Sequence, residues 1–205
     1  DKYFVGFRKK NQHQLSLILK DRRTDNELHI YNGSTHFGTT THRISKYDPT
    51  RRPWYEPFAR SLSPGWAGVY TNQDETQSLT ISAVSPVIDD SHHTLLGVMV
   101  TDINLNYINK FLQRESKDFS GSTYIINEEG TLIASSVLPP AEQPATHLPQ
   151  PDSLIAASQA FMAQTHLPLA SQGTEFEFEH DNTRYFSRIT PYQDEYSLKW
   201  KIVVI

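Results

Sequence analysis

The sequence predicts an α+β fold made of two copies of one unit in tandem. Three observations carry this reading. A strand–Pro-x-x-Asp–turn–strand pattern occurs twice, at Ile81–Val100 and at Phe186–Val204. Another hairpin precedes each copy. A short helical segment lies between the halves.

In the first copy, Ile81-Ser82-Ala83-Val84-Ser85-Pro86-Val87-Ile88-Asp89 leads through a turn into Leu95–Val100. In the second, Phe186–Asp194, with Pro191, leads into Leu198–Val204. The loops exceed two residues, so tight two-residue turns are not expected. A proline near a strand end points to an edge or a bulge there.

Taken in order, Tyr3, Val5 and Phe7 alternate, so residues 1–10 read as a first strand. Gln14–Lys20 and Glu27–Tyr31 form the first preceding hairpin around a polar turn. Tyr107, Ile108, Phe111 and Leu112 stand at helical spacing and predict a short connecting helix, with the boundary between units near Asn106 to Ser120. The expected division is residues 1–113 and 114–205. Ser122–Ile126 and Thr131–Ala134 form the second preceding hairpin, turned at Glu128-Glu129-Gly130, where glycine readily takes positive φ. Residues 134–152 carry five prolines and read as a loop. Ser153–Gln164 reads as a helix capped by Asp152 or Ser153, with Leu154, Ala157 and Phe161 on one face. Glu175–Glu179 alternates glutamate with phenylalanine and reads as a half-exposed strand.

Composition bounds the function. A net charge of −4 over 205 residues argues against a nucleic-acid surface. The absence of cysteine excludes disulfides and thiolate metal sites. The chain begins at Asp1 and ends on an apolar run, Trp200–Ile205, with no stretch near the ~20 apolar residues of a membrane span. The expectation is a fragment of a longer protein.

Motifs of chemistry are missing. None of the nine histidines stands in a His-Glu-x-x-His pattern, and His92-His93 falls in a hairpin turn. His36 and His42 flank a threonine-rich loop. The carboxylate pairs Asp74-Glu75, Asp89-Asp90 and Glu128-Glu129 lie in predicted turns and point apart, which suits solvation better than acid–base work. No nucleophile elbow, phosphate loop or dinucleotide fingerprint occurs. Asn32-Gly33-Ser34 matches a glycosylation acceptor, a pattern common by chance. No catalytic residue, metal site or cofactor is expected.

The densest chemistry is Tyr47–Tyr55, where two arginines, a tryptophan and two tyrosines surround two prolines. Arginine's planar fork suits a carboxylate, and aromatic rings make apolar walls. Pro53 can open a helix with Trp54 and Tyr55 in its first turn, but Pro57 either kinks that helix or delays its start. On residue types alone, Trp54, Tyr55 and Phe58 fit a packed core as well as a ligand wall. Arg51 reads as solvated.

Tyr-Asp-Pro-x-x-Arg-Pro-Trp-Tyr at Tyr47–Tyr55, Gly65-Trp66 to Tyr70, Ile-Ser-x-x-x-Pro-Val at Ile81–Val87 and Leu-x-Gly-Val-x-x-x-Asp-Ile-x-Leu at Leu95–Leu105 resemble the double Cache family of extracytoplasmic sensors. Tyr124–Ser135 and Arg184–Ile205 are similar to its membrane-proximal lobe. The resemblance implies two PAS-like lobes, each an antiparallel sheet flanked by helices, after a long N-terminal helix that is truncated here. It implies ligand binding in the first lobe, a periplasmic location, a membrane tether in the full-length protein, and room for a homodimer.

Tyr47, Arg52, Trp54, Tyr55, Tyr70 and Asp102 are similar to the motif of the amino-acid-binding subset. By this resemblance, Arg52 and the Trp54 indole N–H hold an α-carboxylate. Asp102 pairs with the α-ammonium, helped by the hydroxyls of Tyr55, Tyr70 and Tyr47. Asn72 stands where some members carry an acidic residue, which weakens the amine side. Asp102 also fits a second role, as cap of the helix starting near Leu105. The expected function is a sensor for an amino acid. The alternatives are an organic-acid sensor, a structural or dimerisation module, and a periplasmic hydrolase. The following output domain would be a histidine kinase, a diguanylate cyclase or a chemoreceptor module.

Overall fold

Both Pro-x-x-Asp segments form long antiparallel hairpins in the computed structural model, which describes residues 3–8, 15–20, 28–32, 40–44, 48–73, 77–118, 121–137 and 151–205. The chain forms two compact units, Asp1–Arg52 and Pro53–Ile205.

The first unit is an antiparallel meander of β1 (Tyr3–Arg8), β2 (Leu15–Lys20), β3 (Leu28–Asn32) and β4 (Thr40–Ile44), in that order. The alternation at Tyr3, Val5 and Phe7 and the hairpin before residue 31 are therefore realised as strands. The unit ends in a 3-10 turn, Pro49–Arg51. Asp48 caps it by accepting from the Thr50 N–H at 3.0 Å and the Thr50 hydroxyl at 2.6 Å.

The second unit begins with α1 (Glu56–Ser61). Tyr55 precedes this helix and Pro57 lies in its first turn, where the missing N–H has no intrahelical partner to lose. Of the two sequence readings, the later start is the one observed. A three-stranded sheet follows, with β5 (Gly65–Thr71), β6 (Leu79–Asp89) and β7 (Thr94–Asn104) in the order β5-β6-β7. α2 (Leu105–Glu115) leads to a five-stranded sheet of β8 (Thr123–Asn127), β9 (Leu132–Ser135), β10 (Thr174–His180), β11 (Thr183–Gln193) and β12 (Lys199–Val204), ordered β10-β11-β12-β8-β9. α3 (Ser153–Thr165) is capped by Asp152, whose carboxylate accepts from the Ile155 N–H at 2.8 Å. The proline-rich loop predicted at 134–152 falls largely outside the described residues.

Both hairpin prolines sit where their strand has a neighbour on one side only. β5 covers β6 no further than Val84, so Pro86 pairs only with Val98, and a register shift follows at Val87/Ile88. β10 covers β11 no further than Ile189, so Pro191 pairs only with Lys201. A missing N–H costs little at such positions. The two motif aspartates close their turns alike. Asp89 Oδ1 accepts from the Ser91 N–H at 2.9 Å. Asp194 Oδ1 accepts from the N–H groups of Tyr196 at 2.9 Å and Leu198 at 2.8 Å.

The five-stranded sheet is apolar on both faces. On one face, Tyr124, Ile126, Phe176, Phe178, Ile189 and Val203 pack with Ile155 of α3. Phe161 stacks on Phe176 with ring centroids 5.7 Å apart. On the other face, Ile125 and Ile133 share a core with Leu105 and Leu112 of α2 and with Leu79 and Ile81 of β6. This core joins the two sheets. The helix predicted around residue 108 is present, but its buried face is Leu105, Asn109 and Leu112. Tyr107 and Phe111, expected on the apolar stripe, are exposed, and Arg114 lies over the Phe111 ring. Asn109 is buried because its side-chain oxygen accepts the Ser135 N–H at 3.0 Å.

Candidate functional site

Strand parity sorts the three-stranded sheet into two faces. Leu79 and Ile81 of β6 and Ile103 of β7 turn toward α2 and the larger sheet. Val84 of β6 and Val98 of β7 turn the other way, beneath Trp54, Tyr55 and Phe58. Ser82 and Asp102 share the parity of this second face. α1 packs against β6 and β7 on this side.

Asp102 is the polar centre of that face. Ser82 stands opposite it in the β6–β7 ladder. The Ser82 hydroxyl donates to Asp102 Oδ1 at 2.6 Å, and the Tyr70 hydroxyl reaches the same oxygen at 3.2 Å. Tyr70 Oη and Ser82 Oγ lie 2.6 Å apart. Two hydroxyl protons serve these three contacts, so Ser82 gives its proton to the carboxylate and Tyr70 divides its own between the two acceptors. Asn72 donates from Nδ2 to Asp102 Oδ2 at 3.3 Å. A carboxylate offers about four acceptor positions, and the side chain remains solvent-accessible in this net. The arrangement fixes a negative charge and leaves it room for one more donor.

The predicted residues fall out as follows. Trp54 and Tyr70 are buried. Trp54 meets Tyr55 edge-to-face, with centroids 5.8 Å apart and planes at 74°. Asn72 holds Asp102, a positive contribution where sequence reasoning saw only a lost acid. Its own N–H is anchored on Ser78 O at 2.8 Å. Asp102 does not cap α2: that cap is Asn104, whose side chain accepts from the Asn106 N–H at 2.9 Å. Arg52 ends the 3-10 turn of the first unit, its N–H on Pro49 O at 3.1 Å. Arg51 is exposed, with Nε 3.5 Å from Asp48 Oδ2. Tyr47 lies outside the described residues. Ser82, fully buried, was not singled out by the sequence reading. Its signal was parity, because the second position of Ile-Ser-x-x-x-Pro-Val faces the aspartate across the hairpin.

A cleft of about 510 Å³ lies elsewhere, between α3 and the larger sheet, lined by Ile126, Gln159, Met162 and Lys201 among others. Gln159 donates to Gly130 O at 2.9 Å, and Lys201 donates to Glu128 O at 3.0 Å. Among the described residues no cluster of histidine and carboxylate side chains could hold a metal. No helix among them is long and apolar enough to cross a membrane.

No protein-family model and no curated protein matches the chain. Solved structures do match. The ligand-binding domain of the Pseudomonas fluorescens chemoreceptor CtaA, in complex with L-isoleucine, superposes with a TM-score of 0.53 at 17% identity, over 81% of this chain and 62% of that one. The fold is that of chemoreceptor ligand-binding domains. The Campylobacter jejuni chemoreceptor Tlp3, with 4-methylisoleucine, gives 0.53 at 12% identity, over 92% of this chain and 63% of that one. The Pseudomonas aeruginosa amino acid chemoreceptor PctB, with L-Arg, gives 0.52 at 20%, over 81% and 64%. The chain thus spans less than two thirds of these domains. The α+β, tandem PAS-like architecture expected from the sequence is the one observed.

Proposed function

We propose that this chain is the extracytoplasmic ligand-binding domain of a bacterial transmembrane receptor, and that it recognises an amino acid. The observation that carries the reading is Asp102, held by Ser82, Tyr70 and Asn72 with its charge still accessible. Such a carboxylate suits an α-ammonium. The motif at Tyr47–Tyr55 supports Arg52 and the Trp54 indole N–H as the carboxylate partners, with Tyr55 and Tyr47 beside them. The fold supports the same class, since CtaA and PctB were solved with L-isoleucine and L-Arg.

In this reading, residues 1–113 form the membrane-distal, ligand-binding lobe and residues 114–205 the proximal lobe. Bound ligand would bias the population of lobe arrangements, and the full-length protein would carry that bias to its output domain. The location would be periplasmic, on a membrane tether.

The test is a calorimetric and thermal-shift screen of the twenty amino acids, with Arg52→Ala as control. A shift with at least one of them, lost in the variant, is expected; no shift with any sinks the amino-acid reading. An organic acid is the second reading, favoured by Asn72 standing in place of a second acidic side chain. Asp102→Ala separates the two. It leaves organic-acid binding intact, whereas amino-acid binding loses at least ~2 kcal/mol through an unpaired ammonium.

A further inference from the structure

β5 carries the Asp102 face and the contact between the two sheets on opposite sides of one strand. The cause is a bulge. Ala67 pairs with Ser82 and Tyr70 with Thr80, so Gly68 and Val69 together oppose Ile81. The extra residue rephases the strand. Trp66 and Val69 both pack toward the core that joins the sheets. Ala67 and Tyr70 both pack toward Trp54. β5 is also an edge strand, held by β6 alone, so its path is less constrained than a central strand's.

Each face has one polar anchor. On the site face, two of the three donors to Asp102 belong to β5 and its continuation: Tyr70, and Asn72 just beyond Thr71. On the opposite face, the Trp66 indole N–H donates to Asp194 Oδ2 at 2.6 Å. Asp194 Oδ1 meanwhile closes the β11–β12 turn. Gly65, at the start of β5, lies against the same turn: a Cβ there would stand 3.8 Å from Tyr196 O and 3.0 Å from the Phe58 ring.

We infer that β5 couples the Asp102 site to the β11–β12 turn, with the Trp66–Asp194 hydrogen bond as the contact that reads the site. This rests on the ligand reading above only for what triggers it. A cation at Asp102 takes the open acceptor position on Oδ2 beside Asn72, draws charge from Oδ1 and weakens the 3.2 Å Tyr70 contact there. Tyr70 then resettles, and the bulged edge strand passes the change to Trp66, four residues away on the other face.

The test follows the three tryptophan indole N–H resonances of the whole 205-residue chain by NMR. Trp66→Phe identifies the Trp66 signal. Tyr70→Phe and, as a second variant with intact shape, Asp102→Asn are each expected to move it without any ligand, while Trp200 stays fixed. A Trp66 signal that stays fixed in both variants overturns the coupling. Titration with L-isoleucine and L-arginine, followed in parallel by calorimetry, separates the two proposals. Heat of binding with an unmoved Trp66 signal overturns the coupling and spares the ligand reading. A Trp66 response to Tyr70→Phe with no heat from any amino acid supports the coupling and removes the ligand reading. Reciprocity adds a second readout: Asp194→Asn, remote from Asp102, should change affinity for whichever amino acid binds by about 5-fold or more.

Discussion

Ser82 and Asp102 face each other across the β6–β7 ladder, and the Ser82 hydroxyl gives its proton to Asp102 Oδ1 at 2.6 Å. Ser82 is fully buried, so its proton has no competing solvent. If the proposed amino-acid site is right, Ser82→Ala should weaken binding there roughly 5-fold to 10-fold, because a charge-assisted bond that orients the carboxylate is lost. Calorimetry on the variant reads this directly. Unfolding in urea should show a stability loss of about 1 kcal/mol.

Burial pushes the Tyr124 phenol up to about 12, and the hydrogen bond to Ser158 at 2.9 Å pulls weakly the other way. The folded state therefore favours the neutral phenol. The resulting stability is complete below the ordinary value of 10.0 and is lost as pH rises from there toward about 12. Tyr124→Phe should remove this alkaline sensitivity. At neutral pH it should cost about 1 kcal/mol, since it leaves the buried Ser158 hydroxyl unpartnered. Urea midpoints measured between neutral and alkaline pH test both statements.

Acid should act through the motif aspartates. At Asp194, partial burial raises the carboxyl, but the N–H groups of Leu198 and Tyr196 and the Trp66 indole outweigh it, and the net shift is downward. At Asp89 the Ser91 hydroxyl, His92 and the Ser91 N–H lower the value. Carboxylates depressed on folding contribute stability that is present above the ordinary 3.8 and disappears as pH falls through the folded value. Thermal midpoints should thus decline below that pH, and Asp194→Asn should flatten the decline.

Gly173 has φ of +97°, and a Cβ there would meet Thr190 Oγ1 at 2.9 Å and Ile189 O at 3.0 Å. Gly173→Ala should destabilise by more than about 1 kcal/mol. Gly68 in the β5 bulge has no positive φ, and a Cβ there would meet open space. Gly68→Ala should be close to neutral. Paired denaturation curves of the two variants check the contrast.

The hairpins were legible because their signals are local. Pro86 and Pro191 mark one-sided strand segments, and Asp89 and Asp194 mark the turns. The Glu–Phe alternation marked β10, whose Phe176 and Phe178 are buried. What escaped was set by tertiary context. Four residues at helical spacing announced α2, yet Tyr107 and Phe111 face outward while Asn109 turns inward to serve an edge strand. Asp102 and Asn104 are both suitable caps two residues apart, and only the length of β7 decides for Asn104. The bulge in β5 has no strong sequence mark beyond Gly68, so a strict period of two would have put Trp66 and Tyr70 on the same face. In the candidate site, aromatic and charged residues were visible by type. Ser82 was not, because a small hydroxyl gains its meaning from the residue across the ladder.

The two aspartate turns divide their carboxylate oxygens alike. In both copies Oδ1 accepts the turn N–H groups, and Oδ2 accepts from a side chain. In the first copy it meets His92 Nδ1 at 3.0 Å, at the surface. In the second it meets Trp66 of β5, in the three-stranded sheet. One turn motif thus presents a spare acceptor at each hairpin, filled by a near neighbour in the first copy and by a side chain of a different sheet in the second.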